Sequence, residues 1–373
     1  MHDEEHYKNY LRMDLETFEE LVSKLKPLLK KKDTRMRNAI SPGEQLAVTL
    51  RFLATGESYT SLQYQFRINK GTLSLLIPRV CTAIAEVLAD YIKCPSTVEQ
   101  WEEIAHNFLV KWQLPNCLGA IDGKHVRILH PPGTGSNYFN YKGFFSIVLL
   151  AVAGPNSEFI YADVGCQGRI SDGGVLRNTD FYQALEQDKL SIPQPKQLPI
   201  DDISYEDWKP VTPHYFVGDD AFSLTPNVMK PYPNRGQTEE QRVLNYRLSR
   251  ARRVSENAFG ILSAKFRVFH STLCVTPGHA TTIVHATLVF HNFLLRNCPN
   301  IYTPCGYVDL PNDEGDIIDG DWRKNTKPTC NNILNINIPG CNYTRSAGEI
   351  RDCLCDYVNG PGQVSWQWKI LLP

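Results

Sequence analysis

Apolar positions in residues 1–95 recur with helical spacing. The stretch "DLETFEELVSKLKPLL" sets Leu15, Phe18, Leu21, Val22 and Leu25 on one stripe behind an Asp cap. "AISPGEQLAVTLRFLATG" offers Ser41 as cap, Pro42 at the first position, Glu44 as its capping-box partner and Gly56 as a stop. "SYTSLQYQFRINKGTLSLLIPRVCTAIAEVLADYI" then predicts a short helix near 60–66, a turn at "INKG" and a longer helix from about Thr72. Two helices joined by a short Gly-containing turn fit a helix-turn-helix and equally fit a plain bundle. In the first case Arg67, Lys70 and Thr72 are placed to reach a phosphate or a base edge. Trp101 to Trp112 reads as a connecting helix.

The period then changes. "CLGAIDGKHVRIL", "GFFSIVLLAVAG" and "EFIYADVG" are β-rich, with "GPNS" a turn between the second and third. "SDGGVLRNTDFYQALEQ" starts with a cap and turns helical, and 187–213, rich in Pro, Asp and Gln, reads as a loop or insertion. "HYFVGDDAFSLTP" is a strand that ends in two acids. "EQRVLNYRLSRARRVSENAFGILSAKFRVF" is a long helix whose apolar side runs through Leu244, Leu248, Ala251, Ala258 and Leu262. Three strands, a helix, a strand and a carboxylate-bearing helix, in that order, match an α/β ribonuclease-H-like core behind an all-helical N-terminal region. The domain reading is therefore 1–95 helical, 96–116 connecting helix, 117–298 ribonuclease-H-like core, and 299–373 an acidic loop and tail packing on that core.

The chain of 373 residues has a net charge of −1, so no overall basicity advertises a nucleic-acid partner. The distribution changes that picture. Residues 242–267 carry seven Lys/Arg and one Glu, and 309–321 carry six Asp/Glu and no base. The acidic run reads as a solvated segment. The eleven cysteines form no paired C-x-x-C pattern and read as reduced thiols of an intracellular protein. No apolar run is long enough to span a membrane, and the charged start "MHDEEHYKNYLRMD" has no hydrophobic signal core.

Asp122 lies between "CLGAI" and "VRI", inside a strand that wants to be core. Such a charge is costly unless it is paired or holds a metal. Asp219 ends the strand "YFVGD", and Glu256 sits within the basic helix. Taken alone, Glu256 is a solvated helix face paired with Arg252 or Arg253. Two carboxylates at core-strand positions and one on a basic helix instead suit Mg²⁺, which takes oxygen ligands and keeps several waters. Arg247, Arg250, Arg252 and Arg253, with Lys265 and Arg267, would face the polyanion whose metals the carboxylates bind. On an alternating strand Lys124 shares a face with Asp122 and could touch a phosphate, while His125 faces away. His285 and His291, six residues apart, read as packing or hydrogen-bonding residues.

The motifs "LGAIDGKHVRI", "NYKGFFSIVLLAV", "SDGGVL", "VGDDAFSLTPNVMKPYP", "NYRLSRARRVSENAFGIL" and "RDCLCDYVNGPGQVSWQ", with the leader "LRFLATGESYTSLQYQFRI", resemble the PIF/Harbinger transposases and the nucleases derived from them, a branch of the DDE superfamily. The resemblance covers nearly the whole chain, and its specificity lies in the order and spacing of the motifs. It implies that Asp122, Asp219 and Glu256 are the catalytic metal ligands and that Asp172 lies at the metal site, as ligand or outer-shell residue. It implies metal-dependent phosphodiester cleavage with two divalent ions, Mg²⁺ or Mn²⁺, and strand transfer as a further capacity. It also implies DNA as substrate, a separate Myb/SANT-like DNA-binding partner, and a nuclear location, with the cytoplasm open to a chain without that partner. The rival expectation is a domesticated DNA-binding or adaptor protein that no longer cuts. Asp220 stands where such proteins commonly have a small or polar residue, and the 187–213 stretch is an insertion relative to compact members.

Overall fold

The computed structural model describes residues 8, 10–35, 38–200, 203–205, 207–312, 314–325, 333–335 and 344–371. Its N-terminal helices begin where the capping chemistry places them. Helix α1 (Leu15–Leu29) starts at Asp14, whose carboxylate accepts the Thr17 amide. Helix α2 (Pro42–Thr55) starts at Ser41 and stops at Gly56, which takes a left-handed φ of 69°. Helices α3 (Tyr59–Phe66) and α4 (Lys70–Val87) follow. The last begins two residues before the expected Thr72, because the Asn69 side chain caps the Gly71 amide. Leu21, Leu53 and Ile77 of these helices share one continuous apolar core with Ile283 and Leu288 of α9, the helix Pro277–Asn297. The N-terminal helices therefore pack against the rest of the chain.

Helix α5 (Val98–Trp112) leads into the sheet. Strands β1 (Cys117–Arg127), β2 (Ser146–Ala153) and β3 (Phe159–Gln167) form an antiparallel meander. Two short helices follow, α6 (Asp172–Arg177) and α7 (Asp180–Glu186). Strand β4 (Tyr215–Val217) then returns parallel to β1, and β5 (Val228–Met229) lies parallel to β4. The order is β3-β2-β1-β4-β5, a five-stranded mixed path flanked by helices and compatible with a ribonuclease-H-like core. β1 and β2 are buried almost end to end, as strands covered on both faces must be. The 187–213 stretch contains a small hairpin pairing Lys196–Gln197 with Val211–Thr212.

The position of Asp122 in this sheet is specific. On one side β1 pairs with β2 along most of its length, with Asp122 opposite Ala151. On the other side β4 covers Cys117 to Ala120, and a short strand β6 (Ile333–Asn335) covers Lys124 to Val126. Asp122 falls in the gap between these two partners.

Helix α8 (Glu239–Lys265) runs against β1, fixed at its start by a capping box between Thr238 and Gln241. Its expected apolar side is buried, Leu244, Leu248, Ala251, Ala258 and Leu262 included. Helix α10 (Arg345–Asn359) and the segment 307–325 cover another side of it. For that reason two of its arginines are interior. Arg247 donates to the Gln113 carbonyl and to Gln367 Oε1 at 2.8 Å, and Arg250 donates to the Gly315 carbonyl with its guanidinium 3.9 Å from the Trp366 ring centroid. Both are structural cations here, not the surface phosphate contacts expected of them.

Candidate active site

The register places the first two carboxylates. Ala120 pairs with Val217 in the parallel β1–β4 ladder. Two residues further along the chain come Asp122, still within β1, and Asp219, just past the end of β4. β4 ends immediately after Val217, and Asp219 Oδ1 accepts the Ala221 amide at 2.9 Å, an Asx turn that swings the chain out of the sheet. The side chain of Asp219 is pushed above the ordinary carboxylate range by burial and then by the charge of Asp122. Arg252, the Ala221 amide and Lys124 pull the other way. Asp122 and Asp219 are thus close enough to repel.

Asp122 is interior and well held. Its Oδ1 accepts the Gly123 amide at 2.9 Å, and its Oδ2 faces Lys124 Nζ at 2.7 Å and Ser255 Oγ at 3.4 Å. This answers the cost of a charge in a core strand, because the carboxylate is paired and hydrogen-bonded. Lys124 does share the face of Asp122, but it is buried on that carboxylate and does not reach out toward a phosphate. His125 is buried on the opposite face and bonds Ser146 Oγ at 2.9 Å, a structural role as expected.

Helix α8 carries the third expected acid, Glu256. Ser255 touches Asp122, and Arg252 acts on Asp219, so these two residues of the helix face the two aspartates. Glu256 lies one turn beyond Arg252, on the same side of the helix. Its partner in the structure is Arg323, with Nη2 3.5 Å from Oε2. Neither Arg252 nor Arg253 pairs with it, contrary to the plain helix-face expectation. Arg252 is half-buried, and its Nε has no hydrogen-bond partner among the described residues. Arg253 reaches Asp309 at 3.4 Å and Asp319 at 3.5 Å.

Arg323 follows the run 309–321 expected to be solvated, and at Asp309 the structure corrects that expectation. Asp309 is fully buried and forks onto Arg323 Nε at 3.0 and 3.1 Å, while also accepting the Gly320 amide at 2.7 Å. Asn257 exchanges hydrogen bonds with the Asp309 backbone and accepts from Trp322 Nε1 at 3.0 Å. The Trp322 ring lies over Gly260, where a Cβ would meet it at 2.3 Å, so only glycine lets the indole seat on the helix. Ser255, Asn257, Asp309, Trp322 and Arg323 were all invisible as site-shaping residues. The available signal was Asp309 itself, an acid between Val308 and Leu310.

The remaining expected residues fall as follows. Asp172 opens α6, and its side chain lies outside what the structure describes. Asp220 is exposed, with its carbonyl near Lys230. Arg67 and Lys70 are exposed at the α3–α4 turn, far in sequence from the acids, and Arg67 takes a left-handed φ of 54°. Among the described residues no group of three His, Cys, Asp or Glu gathers closely enough to hold a metal ion. The fit to a divalent metal therefore rests on Asp122 and Asp219: oxygen donors, mutually repelling, of the class Mg²⁺ and Mn²⁺ prefer. No helix among the described residues is long and apolar enough to cross a membrane.

Residues 121–292 match the family described as DDE superfamily endonuclease. The chain is 26% identical over 300 residues to "Protein ALP1-like" of Arabidopsis thaliana, covering 79% of this chain and 71% of that protein. It is 24% identical over 273 residues to the Arabidopsis thaliana protein named antagonist of like heterochromatin protein 1, covering 72% and 67%. It is 24% identical over 284 residues to the provisionally named nuclease HARBI1 of Xenopus laevis, covering 75% and 76%. No solved structure matches.

Proposed function

We propose that this chain, which carries a DDE superfamily endonuclease domain related to Harbinger transposase-derived proteins, is a metal-dependent DNA endonuclease. The observation that carries the reading is the pair Asp122 and Asp219, set side by side by strand register in a gap of the sheet and facing an arginine-bearing turn of α8. Asp122 and Asp219 are the residues that would hold the cation, with Glu256 as third ligand and Asp172 at the rim. Glu256 must then leave Arg323, a half-exposed contact that costs little to break. When bound, a divalent cation lowers the pKa of an attacking water and stabilises the departing oxygen. Arg252, half-buried beside Asp219, would receive a phosphate, and the exposed Arg67 and Lys70 would be further phosphate contacts. Strand transfer would use the same groups with a 3′-hydroxyl in place of water. The proposed setting is the nucleus, with a separate Myb/SANT-like protein supplying DNA specificity.

The second reading is a non-cutting DNA-binding or adaptor protein. It is favoured by the lack of a gathered three-acid group among the described residues, by the Glu256–Arg323 contact, and by a relative named for antagonism of a heterochromatin protein. Plasmid cleavage with Mg²⁺ or Mn²⁺, wild type beside Asp122→Ala, separates the two. Cleavage lost in the variant supports the nuclease. A wild type that binds DNA but leaves it intact supports the adaptor.

A further inference from the structure

Away from the carboxylates, the N-terminal helices enclose a cavity of about 560 Å³, set between the chain that follows α1, the start of α2 and the first turns of α4. That size suits a ligand pocket. Its walls are of two kinds. Lys31, Lys32 and Arg79 bring three cations, and among the described residues no acid lines it. Ile40, Leu75 and Leu76 form an apolar wall, with Leu75 at 75% exposure.

Arg79 is held in place without being neutralised. Its Nη2 donates to Gln45 Oε1, and Gln45 Nε2 donates in turn to the Leu29 carbonyl at 3.2 Å and the Ile40 carbonyl at 2.7 Å. Gln45 is buried, so a fixed neutral amide, not a carboxylate, positions the guanidinium. Arg79 Nε is buried and has no hydrogen-bond partner among the described residues. A half-buried cation of this kind has lost part of its water, and an incoming anion would offset that cost with charge-assisted hydrogen bonds. Asp33, next to Lys32, is turned to the Ala39 amide, which its Oδ1 accepts at 2.8 Å. The start of α4 adds little attraction, because the Lys70 amide already donates to Gln63 Oε1 and the Gly71 amide to Asn69 Oδ1, both at 2.8 Å. The positive character of the cavity therefore comes from its side chains.

We propose that this cavity docks a short acidic segment of another protein, one that carries an aliphatic or aromatic side chain among its carboxylates. The carboxylates meet Lys31, Lys32 and the Arg79 fork, and the apolar side chain covers Leu75, Leu76 and Ile40. Charge complementarity selects an anion. The apolar wall selects a peptide over duplex DNA, whose phosphates would leave the leucines uncovered. The site stands whether or not the chain cuts DNA.

The test is fluorescence anisotropy of the full chain with a panel of short labelled peptides, each carrying acidic residues around one Leu, Ile, Phe or Trp. At least one peptide should bind. Its affinity should fall about tenfold in the double variant Lys31→Gln with Lys32→Gln, and again about tenfold in Leu75→Ser. All three positions are exposed, so these variants should keep the wild-type thermal melt. Arg79→Gln should weaken binding at least as much, and if it melts early the exposed variants decide alone. Replacing the apolar residue of the peptide with Gly should also cost about tenfold. No binding by any peptide would overturn the proposal. So would equal binding with and without the apolar residue, which is charge attraction alone. Duplex DNA that loses affinity in Leu75→Ser, with no peptide bound, would make the cavity a nucleic-acid seat and overturn it as well.

Discussion

The two halves of the candidate site are built differently. On the sheet side, Asp122 and Asp219 are placed by backbone register, buried or half-buried, and held by short-range contacts within β1, β4 and α8. On the helix side, Glu256 is more exposed and is held by Arg323, whose own position depends on Asp309 in a distant part of the chain. The sheet half cannot move without disturbing the core. The helix half can change partner by rotating side chains. On the proposed function, Asp122 and Asp219 would stand ready as ligands and Glu256 would join them only after leaving Arg323.

Breaking the sheet half should have the largest effect. Asp219→Asn should lower metal-dependent cleavage by orders of magnitude while leaving the fold intact, as read by nicking assays beside circular dichroism, because it removes one of the two proposed ligands. Asp172→Asn should cost about 10–100-fold if that residue is an outer-shell group. Equal losses for both would place Asp172 among the direct ligands.

Breaking the hub behind the helix half should appear first as lost stability. Asp309→Asn leaves Arg323 and Arg253 without their buried carboxylate, and removing one partner of a buried pair costs roughly 3–5 kcal/mol. Urea denaturation checks this, and a change below about 1 kcal/mol would mean that the 307–325 segment is not held by this pair.

A pH test sharpens the contrast between core and rim. His291 is buried, donates from Nε2 to the Ser157 carbonyl at 2.9 Å, accepts at Nδ1 from Tyr302 Oη at 2.8 Å, and burial pushes its pKa down to about 4 from an ordinary 6.5. The unfolded chain then binds the extra proton between pH 6.5 and 4, so stability should fall as pH drops through that window, by roughly 2–3 kcal/mol from this residue. Denaturation midpoints at pH 7 and pH 4.5 measure it, and His291→Asn should flatten the slope. The smallest stability effect should come from Glu256→Gln, within about 1 kcal/mol of wild type, because its contact with Arg323 is partly solvated.

Much of this was legible in the sequence where local chemistry decides. Caps at Asp14 and Ser41, the Gly56 stop, the strand around Asp122 and the long helix bearing Glu256 all follow from periodicity and capping. What sequence missed is what a distant segment does to a helix. A run of arginines at 247, 250, 252 and 253 looks like one basic surface, yet Arg247 and Arg250 point into an interior made by Gln113, Gly315, Trp366 and Gln367. The acidic run looks solvated, yet Asp309 is the buried anchor of Arg323. Neither could be read from spacing, because both depend on which parts of the chain cover α8.

The central claim is that these carboxylates hold a metal that cuts DNA, and Glu256→Gln tests it most directly. The substitution keeps shape and hydrogen-bonding capacity and removes the ligand charge. Duplex affinity and Mn²⁺-dependent plasmid nicking should be measured on the same preparation, beside Asp122→Asn. The account predicts affinity equal to or slightly above wild type, since Lys and Arg contacts to phosphate dominate binding, with nicking reduced by orders of magnitude in both variants. Nicking that survives intact in Glu256→Gln would reduce Glu256 to a helix-face charge paired with Arg323 and contradict the three-carboxylate site.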